Sequence, residues 1–268
     1  MISVDMPKFD TALVTVIMPC YNHEHYVERA VVSVIEQTYP SVELVVVDDG
    51  SSDGSVSKLK SLQARFGFKL ICQENQGVCR TLNRAVQEAS EGEYIALLAS
   101  DDFWHQDKLR MQMEMLGRRG DCEFCFSQAI EFTDENTPEA GRAFPRKCRS
   151  GDVLDQVFIR QHVPAGTMVF SRRLYDQLGG FDENLKEEDW DFVIRAAAVT
   201  RFASIDVPLL YYRSHQGNTM KTRNRAAIFH QKAKILAKNF DLVSPWRWLL
   251  SISIHFCNDI ILNLLRHR

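Results

Sequence analysis

Leu13 to Met18 is an apolar run rich in Val and Ile, with Thr15 its one polar residue, closed by Pro19. A strand buried on both faces of a parallel sheet reads this way. The polar loop Pro19-Cys20-Tyr21-Asn22 comes next. Glu24 to Gln37 then places Val27, Ala30, Val31, Val34 and Ile35 at helical spacing, and Pro40 ends the run. The alternation repeats. Val42 to Val47 predicts a second strand, Val56 to Phe66 a helix, and Lys69 to Cys72 a short third strand; Val78 to Ala89 predicts a helix and Tyr94 to Leu98 a fourth strand. Strands alternating with helices of this length predict an α/β fold with an open, mostly parallel sheet flanked by helices and right-handed crossovers.

Polar loops follow the strands, at Tyr21-Asn22, at Asp48-Asp49-Gly50-Ser51-Ser52-Asp53-Gly54, from Gln73 to Gly77, and at Ser100-Asp101-Asp102. In an open α/β sheet such loops gather along one edge, where ligands bind. The pair Asp101-Asp102 ends an apolar strand abruptly. Ionised carboxylates lose heavily on burial unless they are paired or bound to a cation, although an Asp at this point is also a good helix N-cap. Four polar loops on one edge favour a ligand site over a run of unrelated caps. Acids around a phosphorylated ligand repel it unless a divalent cation intervenes, so a nucleoside diphosphate conjugate held through a metal fits the pattern.

Other ligand classes lose support on specific residues. No G-x-G-x-x-G follows the first strand and no G-x-x-x-x-G-K-[ST] occurs, which removes the dinucleotide and P-loop fingerprints. Val-Val-Val-Asp-Asp also resembles a phosphoacceptor receiver domain, but here the acid pair follows the second strand rather than the first. A nucleotidyltransferase would show a glycine- and arginine-rich loop where this chain has Pro19-Cys20-Tyr21-Asn22. Composition narrows the field again. The net charge of −3 over 268 residues provides no basic field for nucleic acid. Seven Cys, an odd number, read as reduced thiols, and the lone C-x-x-C at Cys122 and Cys125 lies in a strand-like stretch without a second pair. Met1 to Asp10, with Asp5, Pro7 and Asp10, does not read as a secretory leader, and no run of 18 apolar residues suggests a spanning helix.

In the second half, Glu123 to Phe132 predicts a further strand, Thr133 to Arg149 a polar loop, and His162 to Phe170 a loop entering a strand. Gly179-Gly180 predicts a tight turn where backbone can approach a ligand closely. Glu188-Asp189-Trp190-Asp191 opens a helix continuing to Val199, where acids favour the helix dipole. Beyond Asp206 no acid occurs until Asp241, while Arg213, Lys221, Arg223, Arg225, Lys232, Lys234 and Lys238 accumulate. Trp246, Leu249, Leu250, Phe256, Cys257, Ile260, Ile261 and Leu264 then follow helical spacing. Such a basic, Trp-bearing tail suits an anionic membrane surface, a second subunit, or the α/β domain of the same chain.

These stretches together resemble the inverting glycosyltransferases of family 2, with a GT-A fold. The matching residues are Val14 to Asn22, Val46-Val47-Asp48-Asp49-Gly50-Ser51-Ser52-Asp53, Asn75-Gln76-Gly77-Val78, and Gly92 to Asp102. Farther on come Gly179-Gly180-Phe181-Asp182-Glu183, Glu188-Asp189-Trp190-Asp191 and Tyr212-Arg213-Ser214-His215. The resemblance implies a GT-A domain over residues 1–220 with a helical tail over 221–268. It also implies a nucleotide-sugar donor, most often carrying UDP, with Mn²⁺ or Mg²⁺, and a glycan or lipid-linked acceptor. A cytoplasmic site follows, at most peripheral on the inner face of the membrane or dimerised through the tail.

By resemblance, Pro19, Tyr21, Asn22, Asp48 and Asp49 lie against the base and ribose, with Asp49 accepting from a uracil N–H. Asn83, Ser100, Asp101 and Arg213 complete the donor site, Arg213 towards the pyrophosphate. Asp101, Asp102 and His215 are implied as metal ligands, and Asp189 as catalytic base. Gly180, Glu188 and Trp190 are implied on the acceptor side, Trp190 being equally readable as a core residue. One departure stands out. Ala99 occupies the position where many members carry the first acid of Leu-Asp-Ser-Asp-Asp, so two acids rather than three remain. A non-catalytic sugar-nucleotide-binding relative is the alternative that Ala99 raises.

Overall fold

The computed structural model describes residues 11–185, 188–215, 217–218 and 224–261. Its first four strands are β1 (Val14–Cys20), β2 (Val42–Asp48), β3 (Lys69–Cys72) and β4 (Tyr94–Leu97). They run parallel in the order β3-β2-β1-β4, with Val16 beside Leu44 and Ala96. The helices between them are α1 (Val27–Ile35), α2 (Ser55–Phe66) and α3 (Val78–Glu88).

The apolar runs of β1 and β2 have a direct cause, because these inner strands bury both faces, whereas β3 lies at the more exposed edge. Along β1, Val14, Val16 and Met18 enter a core shared with Val27, Val31, Leu59 and Leu62, while Ile17 enters a second core with Leu82 and Val86. Each such side chain contributes about 1.5–3 kcal/mol on burial, so neither face tolerates a polar residue cheaply.

α1 is shorter than its periodicity predicts, since the flanking residues bond elsewhere. Glu24 takes the Gly54 N–H on Oε2 and donates its own N–H to Asp53, whereas Gln37 bridges His105 O and Leu109 N.

After β4 the sheet becomes mixed. The strands are β5 (Phe103–Trp104), β6 (Cys122–Phe132), β7 (Arg142–Phe144), β8 (Val169–Ser171) and β9 (Arg201–Arg213). β8 lies antiparallel between β4 and β6, β9 is parallel to β6, and β5 is antiparallel to β9. The polar stretch 133–149 is therefore not a free loop. It contains a 3-10 turn (Pro138–Ala140) and β7, which pairs with β6. The helices of this half are α4 (Lys108–Arg118), α5 (Leu154–Ile159), α6 (Arg172–Leu178), α7 (Glu188–Ala197), α8 (Arg225–Lys238) and α9 (Pro245–Phe256).

The basic tail joins the same core. Ile235 and Leu236 of α8 are fully buried among Val157, Phe158 and Trp190, and Ser251 of α9 donates to Phe158 O. Much of its charge meets internal acids: Lys232 and Arg225 pair with buried Asp259, Lys238 with Asp182 and buried Asp191, and Arg247 with Asp155. Trp246, Leu249, Leu250 and Phe256 form an exposed apolar face, Trp246 being 72% exposed. Lys221, Arg223 and Leu264 lie outside the described residues. No helix among the described residues is long and apolar enough to cross a membrane.

Candidate active site

Parallel pairing brings the loops after β1, β2, β3 and β4 to one edge, as the hydrophobic pattern implies. Hydrogen bonds then lock them together. The Asp49 N–H donates to Cys20 O at 2.8 Å and the Gln73 N–H to Asp48 O at 3.0 Å. Gly50 adopts φ +79°, and a Cβ there would sit 2.8 Å from the Asn75 amide, so the turn requires glycine. Asn22, itself at φ +56°, accepts the Ser52 N–H on Oδ1.

The acid pairs Asp48-Asp49 and Asp101-Asp102 of this edge have different occupations. Asp48 is buried and its carboxylate accepts the N–H and hydroxyl of Ser51, so it shapes its own turn rather than facing a ligand. Asp49 accepts from Gln73 Nε2, Gln76 N and Gly77 N at 2.7–2.9 Å. A carboxylate offers about four lone pairs, which leaves one for a base N–H. Tyr21 presents a half-exposed ring beside Pro19.

Asp101 and Asp102, adjacent in sequence, diverge. Asp102 is 3% exposed and accepts the Arg213 N–H at 2.8 Å; burial and the neighbouring Asp101 charge push its carboxyl well above the usual range. This arrangement corrects the expectation that Asp102 is a metal ligand. Its carboxylate is enclosed and engaged by backbone because β9, paired to β5, delivers Arg213 against it. Asp101 instead faces His215, whose Nε2 lies 3.0 Å from Oδ2. Burial raises the Asp101 carboxyl, but the His215 hydrogen bond and His23 outweigh it and hold the group below the ordinary range.

His23 is the site residue the sequence reading missed. Its Nδ1 meets Ser100 Oγ at 2.8 Å and its Nε2 lies 3.9 Å from Asp101 Oδ2. Burial lowers its pKa, favouring the neutral ring. A lone His carries no pattern, and only its place directly after Tyr21-Asn22 pointed to the site. The ligand atoms of His23, Asp101 and His215 lie within 4.8 Å of one another. One carboxylate with imidazole nearby is a donor set that fits a divalent cation. Arg213 is enclosed. Its Nε donates to Asp101 O, it pairs with Glu135, and its guanidinium lies 4.7 Å from the Tyr26 ring centre and 5.0 Å from that of Phe132. It positions the acid loop, and a direct pyrophosphate contact does not follow from this placement.

Asp189 sits in the first turn of α7, accepting the Trp190 N–H on Oδ1 and Gln161 Nε2 on Oδ2 at 3.2 Å. Burial raises its carboxyl above the ordinary value despite both bonds. Three other expectations are corrected by packing. Trp190 is 2% exposed, donates Nε1–H to Val157 O and lies against His255, so its ring is core and cannot stack on a sugar. Asn83 accepts from Tyr175 Oη and Phe181 N and donates to Phe181 O and Glu183. It therefore clamps the Gly179–Glu183 turn instead of touching the donor. Gly180, at φ +76°, is buried against Tyr175 Oη and Asn83 Oδ1, each within 3 Å of a Cβ built there, so it serves the same turn rather than an acceptor. Glu188 opens α7, but its side chain lies outside the described residues.

A parallel nucleotide-type half sheet, a mixed second half and an acid-lined loop edge define a GT-A α/β domain. Residues 15–179 match the family model for glycosyl transferase family 2, and the chain belongs to that family. Among curated relatives, a Bacillus subtilis glycosyltransferase named for teichuronic acid biosynthesis, TuaG, is 36% identical over 129 residues, 47% of this chain and 50% of that protein. The Escherichia coli UDP-Glc:alpha-D-GlcNAc-diphosphoundecaprenol beta-1,3-glucosyltransferase WfgD is 43% identical over 108 residues, 40% of this chain and 42% of its own. The matched region thus spans half or less of these two relatives. Among solved structures, S. aureus TarS 1-349 in complex with UDP-GlcNAc superposes with a TM-score of 0.72 at 19% identity, covering 92% of this chain and 73% of that one. The Pyrobaculum calidifontis mannosyltransferase PcManGT in complex with GDP-Man and Mn²⁺ gives 0.67 at 20% identity, covering 92% and 70%. Both carry the same fold.

Proposed function

We propose that this protein transfers a sugar from a UDP-sugar to a hydroxyl of a glycan or lipid-linked saccharide, with inversion at the anomeric carbon. The observation that carries the reading is the gathering of the loops after β1, β2, β3 and β4 on one edge, where Asp49 keeps an open acceptor position and Asp101 Oδ2 meets His215 Nε2 at 3.0 Å. Burial that raises the Asp189 carboxyl agrees with a group that accepts a proton.

Asp189 takes the proton from the acceptor hydroxyl as its oxygen attacks the anomeric carbon. The bond from that carbon to the diphosphate oxygen breaks, and the electron pair leaves with UDP. Asp101 and His215 would hold Mn²⁺ or Mg²⁺, which supplies charge neutralisation for the departing diphosphate. Asp49 and Tyr21 receive the base, with Pro19 and Asn22 setting the loop. The named donors and acceptors of the relatives, UDP-glucose and a diphosphoundecaprenol-linked sugar in one case, support this substrate class. The exposed face Trp246, Leu249, Leu250 and Phe256 supports peripheral contact with the bilayer that carries a lipid-linked acceptor. Ala99 motivates the competing reading of a sugar-nucleotide-binding relative without turnover. UDP release from cognate donor and acceptor, compared between wild type and Asp189→Asn, decides between them. Turnover abolished in the variant supports transfer, and turnover retained removes Asp189 as base.

A further inference from the structure

We propose that His23 is a third protein ligand for the divalent cation, completing a set of two imidazoles and one carboxylate that loads the ion before the donor binds. The inference rests on the reading above, since it takes Asp101 and His215 as holding a cation. Its starting point is a shortage of acids. Ala99 offers no donor, and the Asp102 carboxylate is enclosed against the Arg213 amide. Of the Ala99-Ser100-Asp101-Asp102 stretch, Asp101 alone is aimed at His215 with its carboxylate. One carboxylate beside water holds a divalent ion weakly, so further donors must come from elsewhere in the fold.

The loop after β1 provides one. Bonds of about 2.1 Å to N and O ligands set neighbouring ligand atoms about 3 Å apart and opposed ones about 4.2 Å apart. The separations here, 3.0 Å from His215 Nε2 and 3.9 Å from His23 Nε2 to the same Asp101 oxygen, fall in that span. The two imidazole rings stand at 88° with centres 6.1 Å apart.

The surroundings of His23 are those of a ligand. A metal-bound His commonly donates its other ring N–H to a fixed acceptor, which sets the tautomer and orients the ring. Here Nδ1 lies 2.8 Å from Oγ of fully buried Ser100, leaving the Nε2 lone pair on the Asp101 side. The backbone is anchored too, because the His23 N–H donates to Ser55 Oγ at 2.8 Å. His215 is held by its N–H to Asn218 Oδ1, and its Nδ1 accepts the Gly217 N–H. Ligation through Nε2 moves the His215 ring proton to Nδ1, so the ion replaces that contact. Both rings are placed before any ion arrives, and little ordering is left for binding to impose. Imidazole donors suit Mn²⁺ better than Mg²⁺, which favours oxygen and water.

The test is titration of Mn²⁺ alone into the full chain without nucleotide, followed by loss of the free-ion EPR signal. Wild type is expected to bind one ion per chain, with ¹⁴N modulation in pulsed EPR from two imidazoles. His23→Asn is expected to bind at least about tenfold more weakly, with modulation from one imidazole and an unchanged melting temperature in metal-free buffer. Where that variant melts early, the wild-type count decides, because a single imidazole overturns the proposal. Equal Mn²⁺ affinity in the two proteins also overturns it. UDP binding at saturating Mn²⁺ separates the failures. If wild type binds UDP there while His23→Asn titrates like wild type, only the His23 assignment falls. If wild type binds neither Mn²⁺ nor UDP, the donor reading falls and this proposal with it.

Discussion

The loop edge proposed to hold the donor and the Asp189 side proposed to meet the acceptor are built differently. Around the donor loops nearly every polar side chain already has a partner from another loop: Asp49 with Gln73, Gln76 and Gly77, Asn22 with Ser52, Ser100 with His23. Asp189, by contrast, relies on Gln161 and the amide of its own neighbour, and the glycine turn and Trp190 near it in sequence are committed to packing. The loop edge is therefore pre-organised by its own hydrogen bonds, whereas the Asp189 side offers one carboxylate of raised pKa. Under the proposed function the first would hold the donor and the second would meet the acceptor.

Substitutions at the two sides should fail in different ways. Asp189→Asn should lower kcat by about 10²–10⁴-fold, the range for loss of a general base, and leave UDP affinity unchanged by calorimetry. Asp101→Asn should strike binding instead, weakening Mn²⁺-dependent UDP association by tenfold or more, in the range seen when metal-site support is removed. The pH profile separates the two as well. Asp189 must be ionised to accept a proton, so kcat/KM should fall as pH drops through its raised pKa, above the ordinary carboxylate range. Asp101, held low, remains ionised there. In Asp189→Glu the acidic limb should move while UDP affinity stays put.

Asp49→Ala should cost about 1–2 kcal/mol, because it removes the buried carboxylate that gathers the part-buried donors of Gln73, Gln76 and Gly77. A lowered melting temperature checks this. The smallest effect is expected on the tail. Trp246→Ser with Leu250→Ser should change stability by less than about 0.5 kcal/mol, as exposed positions do, yet reduce flotation with liposomes. Unchanged flotation removes the bilayer contact.

The same contrast explains what the chain disclosed before its structure was known. Strands buried on both faces announce themselves, since Val14 to Met18 and Leu44 to Val47 are buried throughout with Thr15 the one polar side chain among them, and the parallel order that follows brings the loops together. Asp101 and Asp102 were readable as a pair. Their divergence was not, because it depends on β9 pairing with β5 and setting Arg213 against Asp102 from 111 residues away. β7 escaped the pattern since its Arg142-Ala143-Phe144 is largely exposed, and its place rests on pairing with β6. Trp190 and Asn83 looked like ligand contacts by position, and only tertiary packing shows them to be occupied. The basic tail left membrane, second subunit and the rest of the chain open as partners, and only the folded structure sets Lys238 against Asp182 and Asp191 and Arg247 against Asp155.

The most direct measurement of the donor edge is a thermal-shift panel of nucleotide sugars on the full chain, with and without Mn²⁺. Stabilisation by at least one UDP-sugar, larger when Mn²⁺ is present and lost in Asp101→Asn, is the expected result. No stabilisation by any UDP-sugar under either condition would contradict the assignment of this site.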